Sequence, residues 1–160
     1  MNMTTTLVAL PFFAAALAAA ASGAFFEVNG AWYQSLRAPS FRPPPWLFGP
    51  VWTVLYVMIA AAGTRLALHA EGADAPALVA VCLGLWALQM VLNALWTPVF
   101  FGAHDLGGAL VLIVLMFAST ALLAGLAWKV DRVAALLLLP YLGWVGFATI
   151  LNAAFWWLNR

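Results

Sequence analysis

LGGALVLIVLMFASTALLAGLAW, residues 106–128, carries no charged side chain and decides the class of fold. A membrane-spanning helix needs about 20 consecutive, mainly apolar residues, and this stretch is long enough. Working outward, four more stretches meet the same criterion, at residues 7–26, 46–68, 77–101 and 133–158. The sequence therefore predicts an all-α, polytopic membrane protein, a five-helix bundle that forms one domain over residues 1–160. The last three segments between these apolar stretches are short, so we expect consecutive helices to be antiparallel neighbours.

The composition supports a membrane protein and excludes several other classes. The chain has 160 residues, 67% of them hydrophobic and 7% charged, with a mean hydropathy of +1.04. The net charge of +1 suggests neither nucleic acid nor a polyanionic partner. We interpret residues 7–26 as a span, with a secretory signal as the alternative, because MNMTTT lacks a positive charge and the apolar run is long for a signal. Three basic residues fall on each side of the membrane, so orientation stays open.

The ionisable residues give little sign of catalysis or ion coupling. Every acidic residue lies in a predicted loop or at a helix end, whereas proton-coupled carriers usually place such groups at mid-membrane. The acidic residues are Glu27, Glu71, Asp74, Asp105 and Asp131. Neither His69 nor His104 has metal-ligand spacing to the lone Cys82, so we expect no metal site.

Aromatic and amide side chains recur at helical spacing on three predicted helices. The first stripe comprises Trp86, Gln89, Asn93, Trp96 and Phe100, the second Trp52 and Tyr56, and the third Trp144, Phe147, Ala148 and Leu151, followed by Asn152. Facing inward, they would line an aromatic cavity with a few amide groups, the general form of a small-molecule pocket. The same pattern is also typical of a bundle core or an interfacial aromatic belt, and both interpretations remain open.

Small residues mark a candidate helix contact. Ala80 and Gly84 form a small-xxx-small pair on the third predicted helix. We expect this face to mediate a homodimer.

The first interhelical segment, EVNGAWYQSLRAPSFRPPPWLFGPVW, spans residues 27–52. A loop of this length is rarely a passive connector, and its prolines fix the backbone without helix or sheet. We expect it to form a lid, with Trp32 and Tyr33 packed over the mouth of the pocket.

Five motifs, in order along nearly the whole chain, resemble the translocator protein family, also called tryptophan-rich sensory proteins or peripheral-type benzodiazepine receptors. They are W-Y-x-x-L (32–36), P-x-x-x-P-P-x-W (39–46), F-x-P-V-W-x-x-L-Y (48–56), N-x-x-W-T-P-x-F-F (93–101) and P-Y-L-x-W-x-x-F-A-T-x-L-N (140–152). The resemblance implies a bacterial, multi-pass member of the family, commonly a homodimer, whose pocket is closed by loop 27–45. It requires no cofactor.

The ligands that the resemblance implies are porphyrins, haem-type tetrapyrroles, sterols and isoquinoline carboxamides. Carried over by position, the pocket residues are Tyr33, Trp52, Asn93, Trp96, Trp144, Ala148 and Leu151. The expected function is binding of porphyrin or a similar hydrophobic ligand for sensing, buffering or transport. The alternatives are light- and oxygen-dependent porphyrin breakdown involving Trp52 and Trp144, and translocation of a sterol or lipid.

The chain departs from the family at two loop positions. Phe41 stands where a tryptophan is common and Pro45 where a basic residue is common, so a cation near the loop is lost. Arg42 could replace that cation. A sterol-recognition motif of animal members is absent near the end of the last helix, which makes sterol a less favoured ligand.

Overall fold

The fold is a bundle of five long helices with a sixth, short helix in the first loop. The computed structural model describes residues 3–26, 28, 30–70 and 75–160; Glu27, Glu71 and Asp74 lie outside them. The helices are α1 (Met3–Ser22), α2 (Ala31–Ser35), α3 (Phe48–Leu68), α4 (Pro76–Thr97), α5 (Leu106–Ala127) and α6 (Arg132–Leu158). All except α2 are long and apolar enough to cross a membrane. The predicted all-α fold with five spans is confirmed.

The predicted boundaries differ most at α1, which begins at Met3 and ends at Ser22 instead of covering residues 7–26. Gly23–Phe25 forms a 3₁₀ turn, and Phe26 then has extended backbone with φ −130° and ψ 145°. The apolar run therefore outlasts the helix. At the other junctions, a 3₁₀ turn at Pro45–Leu47 leads into α3, and a π-helical turn at Pro98–Gly102 extends α4.

The helices follow the order α1, α3, α6, α5, α4 around the bundle, and α4 closes the ring against α1. The helices α3 and α4, consecutive in sequence, are in contact as expected, but they pack together over less of their length than α3 does with α1 or α6. Gly63 explains the arrangement. A Cβ atom there would lie 2.4 Å from the Phe12 ring and 2.7 Å from Trp86 Nε1, so the glycine leaves room for α1 and α4 to meet over α3. The Phe12 and Trp86 rings contact edge to face at 4.8 Å.

An aspartate caps the N-terminal end of α5 and of α6. Asp105 Oδ1 accepts a hydrogen bond from Gly108 N–H at 2.8 Å, and Asp131 Oδ1 accepts from Val133 N–H at 2.8 Å. Both caps satisfy backbone donors that have no partner inside the helix. Arg65 Nε, at the end of α3, donates to Asp131 Oδ2 at 2.7 Å and ties α3 to the start of α6.

Candidate functional site

A cavity of about 640 Å³ lies inside the bundle, at the end covered by the first loop. This volume falls within the range of roughly 300–1,000 Å³ that small-molecule sites occupy. All five long helices and the loop contribute to its wall. The aromatic part of the wall comprises Tyr33, Phe48, Trp52, Tyr56, Trp96, Phe100, Phe101, Trp144 and Phe155, together with Phe13 of α1. Most of the three stripes therefore face the cavity, but Trp86 and Gln89 of the first stripe do not line it. Trp86 packs instead against Phe12 and donates to the Ile59 carbonyl.

The predicted pocket residues converge on this cavity, with one exception. Those in its wall are Tyr33, Trp52, Asn93, Trp96, Trp144, Ala148 and Leu151. Phe147 is not among the lining residues. Its ring lies 5.6 Å from that of Trp144 and 6.4 Å from that of Phe41, so it packs behind the wall against the loop. That these residues bind a ligand stays a prediction.

Asn93 is buried and joins three helices at the floor of the cavity. Tyr56 O–H donates to Asn93 Oδ1 at 2.7 Å, and Asn93 Nδ2 donates to Tyr141 Oη at 3.1 Å. The amide thus acts as interhelical glue between α3, α4 and α6 while also lining the cavity. Asn93 is therefore both part of the helix packing and part of the cavity wall.

Trp96 presents its ring to the cavity with its polar group already bonded. Its Nε1–H donates to Asn152 Oδ1 at 3.0 Å, and Asn152 Nδ2 donates in turn to the Leu106 carbonyl at 2.9 Å. The ring also stacks on Phe100, with centroids 4.8 Å apart, within the π-helical turn. An indole held in this way offers a ligand a fixed apolar face.

Trp144 differs, because its buried Nε1–H has no hydrogen-bond partner. A buried donor without an acceptor raises the free energy of the folded protein. Trp144 is therefore the one described residue of the cavity wall that has an unsatisfied buried polar atom.

The loop packs onto the helix ends through α2, and its role as a lid stays a prediction. Tyr33 is buried, and its ring lies 5.4 Å from those of Phe101 and Phe155. Trp32 does not line the cavity; its ring stacks on His104 at 4.0 Å, with planes 10° apart. His104 adopts the left-handed backbone conformation, φ 56°, just after the π-helical turn. Tyr33 thus covers the cavity, whereas Trp32 fastens α2 to the loop between α4 and α5.

Arg42 is the one charged side chain among the described lining residues. Its guanidinium carbon lies 5.8 Å from the centre of the Tyr33 ring, within cation–π range. Burial raises the pKa of the Tyr33 phenol, and the charge and hydrogen bond of Arg42 lower it only in part. The phenol therefore stays neutral near pH 7. Pro45 lines the same cavity, and that Arg42 replaces the cation absent at position 45 stays a prediction.

The α1 part of the wall was missing from the sequence prediction. Phe13 and Leu17 line the cavity, as do Gly49 and Val57 of α3. These side chains resemble ordinary lipid-facing residues, and α1 carries no stripe of amide or tryptophan residues. The spacing of Phe13, Leu17 and Ala20 is the only signal that could have indicated a shared face.

The residues expected at a dimer interface, Ala80 and Gly84, are exposed one turn apart on α4. No atom lies within 4 Å of the position that a Cβ of Gly84 would take. This face is open in the single chain, and the homodimer stays a prediction. Within the described part of the chain, no three His, Cys, Asp or Glu side chains converge on a possible metal position.

Five apolar spans around an aromatic cavity define a multi-pass helical membrane protein. The TspO/MBR family model matches residues 7–158, and the chain belongs to that family. Protein CrtK of Rhodobacter capsulatus is 41% identical over 160 residues, covering 98% of this chain and 95% of the relative. The tryptophan-rich sensory protein of Cereibacter sphaeroides is 37% identical over 152 residues, covering 95% and 90%. The human translocator protein is 39% identical over 125 residues, covering 78% and 73%.

Proposed function

We propose that this chain binds a porphyrin or a related flat tetrapyrrole in the cavity and serves to sense, buffer or transport it within the membrane. The observation that carries the proposal is the cavity wall itself. It combines three tryptophan rings, an unpartnered Trp144 Nε1–H and one cation, Arg42, in a volume of about 640 Å³.

Each part of the wall suits one part of such a ligand. A flat macrocycle can stack on the rings of Trp52 and Trp96, since aromatic faces attract each other when offset. A propionate can pair with the guanidinium of Arg42, and a charge-assisted hydrogen bond of this kind is stronger than a neutral one. A second acceptor can take the Trp144 N–H. Apart from Arg42, the described lining residues carry no charge, which favours binding over acid–base catalysis.

The test is a titration of the detergent-solubilised protein with protoporphyrin IX, followed by the Soret absorbance of the ligand. Ala148→Trp would fill the cavity, and we expect affinity to fall at least about tenfold, or roughly 1.4 kcal/mol. The matched control is Ala118→Trp, at an exposed position of α5, which should bind as wild type does. Equal affinities for both variants and the wild type would reject the cavity as the binding site.

A second candidate function is light- and oxygen-dependent breakdown of the bound porphyrin. One observation favours it: Trp52 stacks on Tyr56 at 5.3 Å and lies 6.2 Å from Tyr141, so oxidisable indole and phenol rings form a connected group beside the cavity. Illumination of the complex in air, with a dark control, should then convert the porphyrin to open-chain products. Turnover that is unchanged in Trp52→Phe and Trp144→Phe would exclude these two side chains from the reaction.

A further inference from the structure

Some residues of the cavity wall also lie on the outer surface of the bundle. On α1 they are Phe13, Leu17 and Ala20, and on α3 they are Gly49, Thr53 and Val57. Phe13, Leu17 and Val57 are 43%, 71% and 53% exposed. Spacings of three and four place each set on a single face of its helix. A side chain that borders a cavity and the exterior at once marks an opening between the two.

The packing of α1 against α3 explains why the opening lies near the loop. At Gly63 the two helices are in tight contact, since a Cβ there would lie 2.4 Å from the Phe12 ring. At Gly49, fourteen residues earlier and about 21 Å along the helix axis, no atom lies within 4 Å of the corresponding position. The gap therefore exists at the loop end of α3 and is closed near its other end.

The rim of this opening is apolar. All six rim residues belong to membrane-spanning helices, and none is charged. The only hydroxyl, that of Thr53, donates to the Gly49 carbonyl of its own helix at 2.9 Å. A rim of this composition is matched to hydrocarbon, because polar groups in a bilayer must find partners within the protein.

The loop also contributes exposed lining residues, namely Val28, Arg42 and Pro45, but the part of the loop around α2 is firmly held. Tyr33 is wedged between aromatic rings of α4 and α6, and Asn159 holds the backbone of Arg37 with two hydrogen bonds. A ligand passing between α2 and the helix ends would have to displace these contacts. A ligand dissolved in the bilayer can enter the gap between α1 and α3 without displacing them.

We propose that the cavity exchanges its ligand sideways with the hydrocarbon of the membrane, through the gap between α1 and α3. This inference rests on the proposed function. The ligand class that it implies is an amphiphile with a large apolar body, which partitions into the bilayer before it binds. Its charged group can stay near the membrane surface, where Arg42 lies in the loop.

Exchange kinetics test the route. The protein is reconstituted in lipid nanodiscs and mixed in a stopped-flow instrument with vesicles that carry protoporphyrin IX, and quenching of tryptophan fluorescence reports transfer. Gly49→Phe should slow both association and dissociation about tenfold, because an obstacle raises the barrier in both directions. Leu17→Trp, on the opposite rim, should slow both rates as well. The matched control is Gly125→Phe, at an exposed glycine of α5 with no neighbour within 4 Å, and it should exchange at the wild-type rate.

A loosened lid separates the two routes. Asn159→Ala removes the bonds that hold the loop, and under lateral exchange it should leave both rates unchanged. Wild-type rates in Gly49→Phe and Leu17→Trp, together with faster exchange in Asn159→Ala, would overturn the lateral route. An equilibrium titration in which the wild type binds no protoporphyrin would instead reject the proposed function itself.

Discussion

Asn159 and Arg37, 122 positions apart in sequence, are joined by a reciprocal pair of hydrogen bonds. Arg37 N–H donates to Asn159 Oδ1 at 2.9 Å, and Asn159 Nδ2 donates to the Arg37 carbonyl at 3.0 Å. The same Nδ2 donates to the Phe155 carbonyl at 2.8 Å, which fixes the amide against the last turn of α6. The backbone of the loop after α2 is therefore attached to the end of the bundle by the side chain of Asn159, the residue that follows α6.

Asn159→Ala should loosen this attachment without unfolding the protein. The bonds are partly exposed, so we expect a loss of about 1 kcal/mol in the free energy of unfolding. Hydrogen exchange of the amides between residues 30 and 47 should become faster, with the helices unaffected. Arg160→Gln is the control, because the guanidinium of the adjacent Arg160 lies over the exposed rings of Trp156 and Trp157. Unchanged protection in Asn159→Ala would show that aromatic packing alone holds the loop.

Trp144→Phe should affect binding and stability in opposite directions. The substitution removes a buried N–H that has no acceptor in the folded protein, so the thermal midpoint should stay the same or rise. If the ligand supplies the acceptor, porphyrin affinity should fall about three- to tenfold, the value of one hydrogen bond. Trp128→Phe, on an exposed residue outside the cavity, should change neither quantity. Wild-type affinity in Trp144→Phe would mean that the indole N–H has no part in recognition.

Arg42→Gln should discriminate between ligands by charge. Because Arg42 is the one cation among the described lining residues, its loss should weaken the binding of protoporphyrin IX about tenfold. The dimethyl ester of the same porphyrin has no carboxylate and should bind both proteins equally. The affinity of the wild type for the free acid should also decrease as salt is added, since salt screens the attraction between the ligand carboxylate and Arg42 in the exposed loop. An equal effect of Arg42→Gln on acid and ester would indicate a packing role for Arg42 instead.

The sequence predicted the spans well, because the hydropathy of a segment is a direct measure of its place in a bilayer. It did not predict how closely each pair of helices packs. That depends on the local fit of side chains, as where Phe12 and Trp86 meet over Gly63. No hydropathy pattern records that fit.

The cavity residues also divide into those that helical spacing predicted and those that only the structure identifies. Helical spacing brought Trp52, Asn93 and Trp144 onto inward faces, and all three line the cavity. Spacing could not separate Trp144 from Phe147, whose ring turns to the loop residue Phe41. It also missed α1, because a rim of Phe, Leu and Ala looks like any lipid-facing surface. Side-chain direction within an apolar segment is set by tertiary packing and not by composition.

Gly63→Ala should destabilise the bundle. The added methyl group would lie 2.4 Å from the Phe12 ring and 2.7 Å from Trp86 Nε1, whose hydrogen bond to the Ile59 carbonyl at 2.9 Å limits its movement. Overpacking of this kind typically costs about 1–3 kcal/mol. Thermal unfolding in detergent should show a lower midpoint for Gly63→Ala, but no decrease for Gly125→Ala, where the new methyl group meets no atom within 4 Å. Similar midpoints for both variants would contradict the close contact of α1, α3 and α4.

Asp131 should make the opposite end of the bundle sensitive to acid. Burial raises the pKa of its carboxyl, but hydrogen bonds from Arg65, Ala134 N–H and Val133 N–H, with the charge of Arg65, lower it further, so the net shift is downward. A depressed pKa in the folded state contributes stability that is present above the unfolded value, about 3.9. That contribution is lost as the pH falls through the folded value.

Two substitutions of Asp131 separate the contribution of the helix cap from that of the ion pair with Arg65. Asn is as good an N-cap as Asp, so Asp131→Asn should keep the cap of α6 and lose the ion pair, whereas Asp131→Ala should lose both, with a further cost of about 1 kcal/mol. Thermal midpoints measured from pH 7 down to pH 3 should fall more steeply for the wild type than for Asp131→Asn, so that the two curves approach each other at low pH. Parallel curves over that range would show that the Asp131 charge adds nothing to stability beyond the cap.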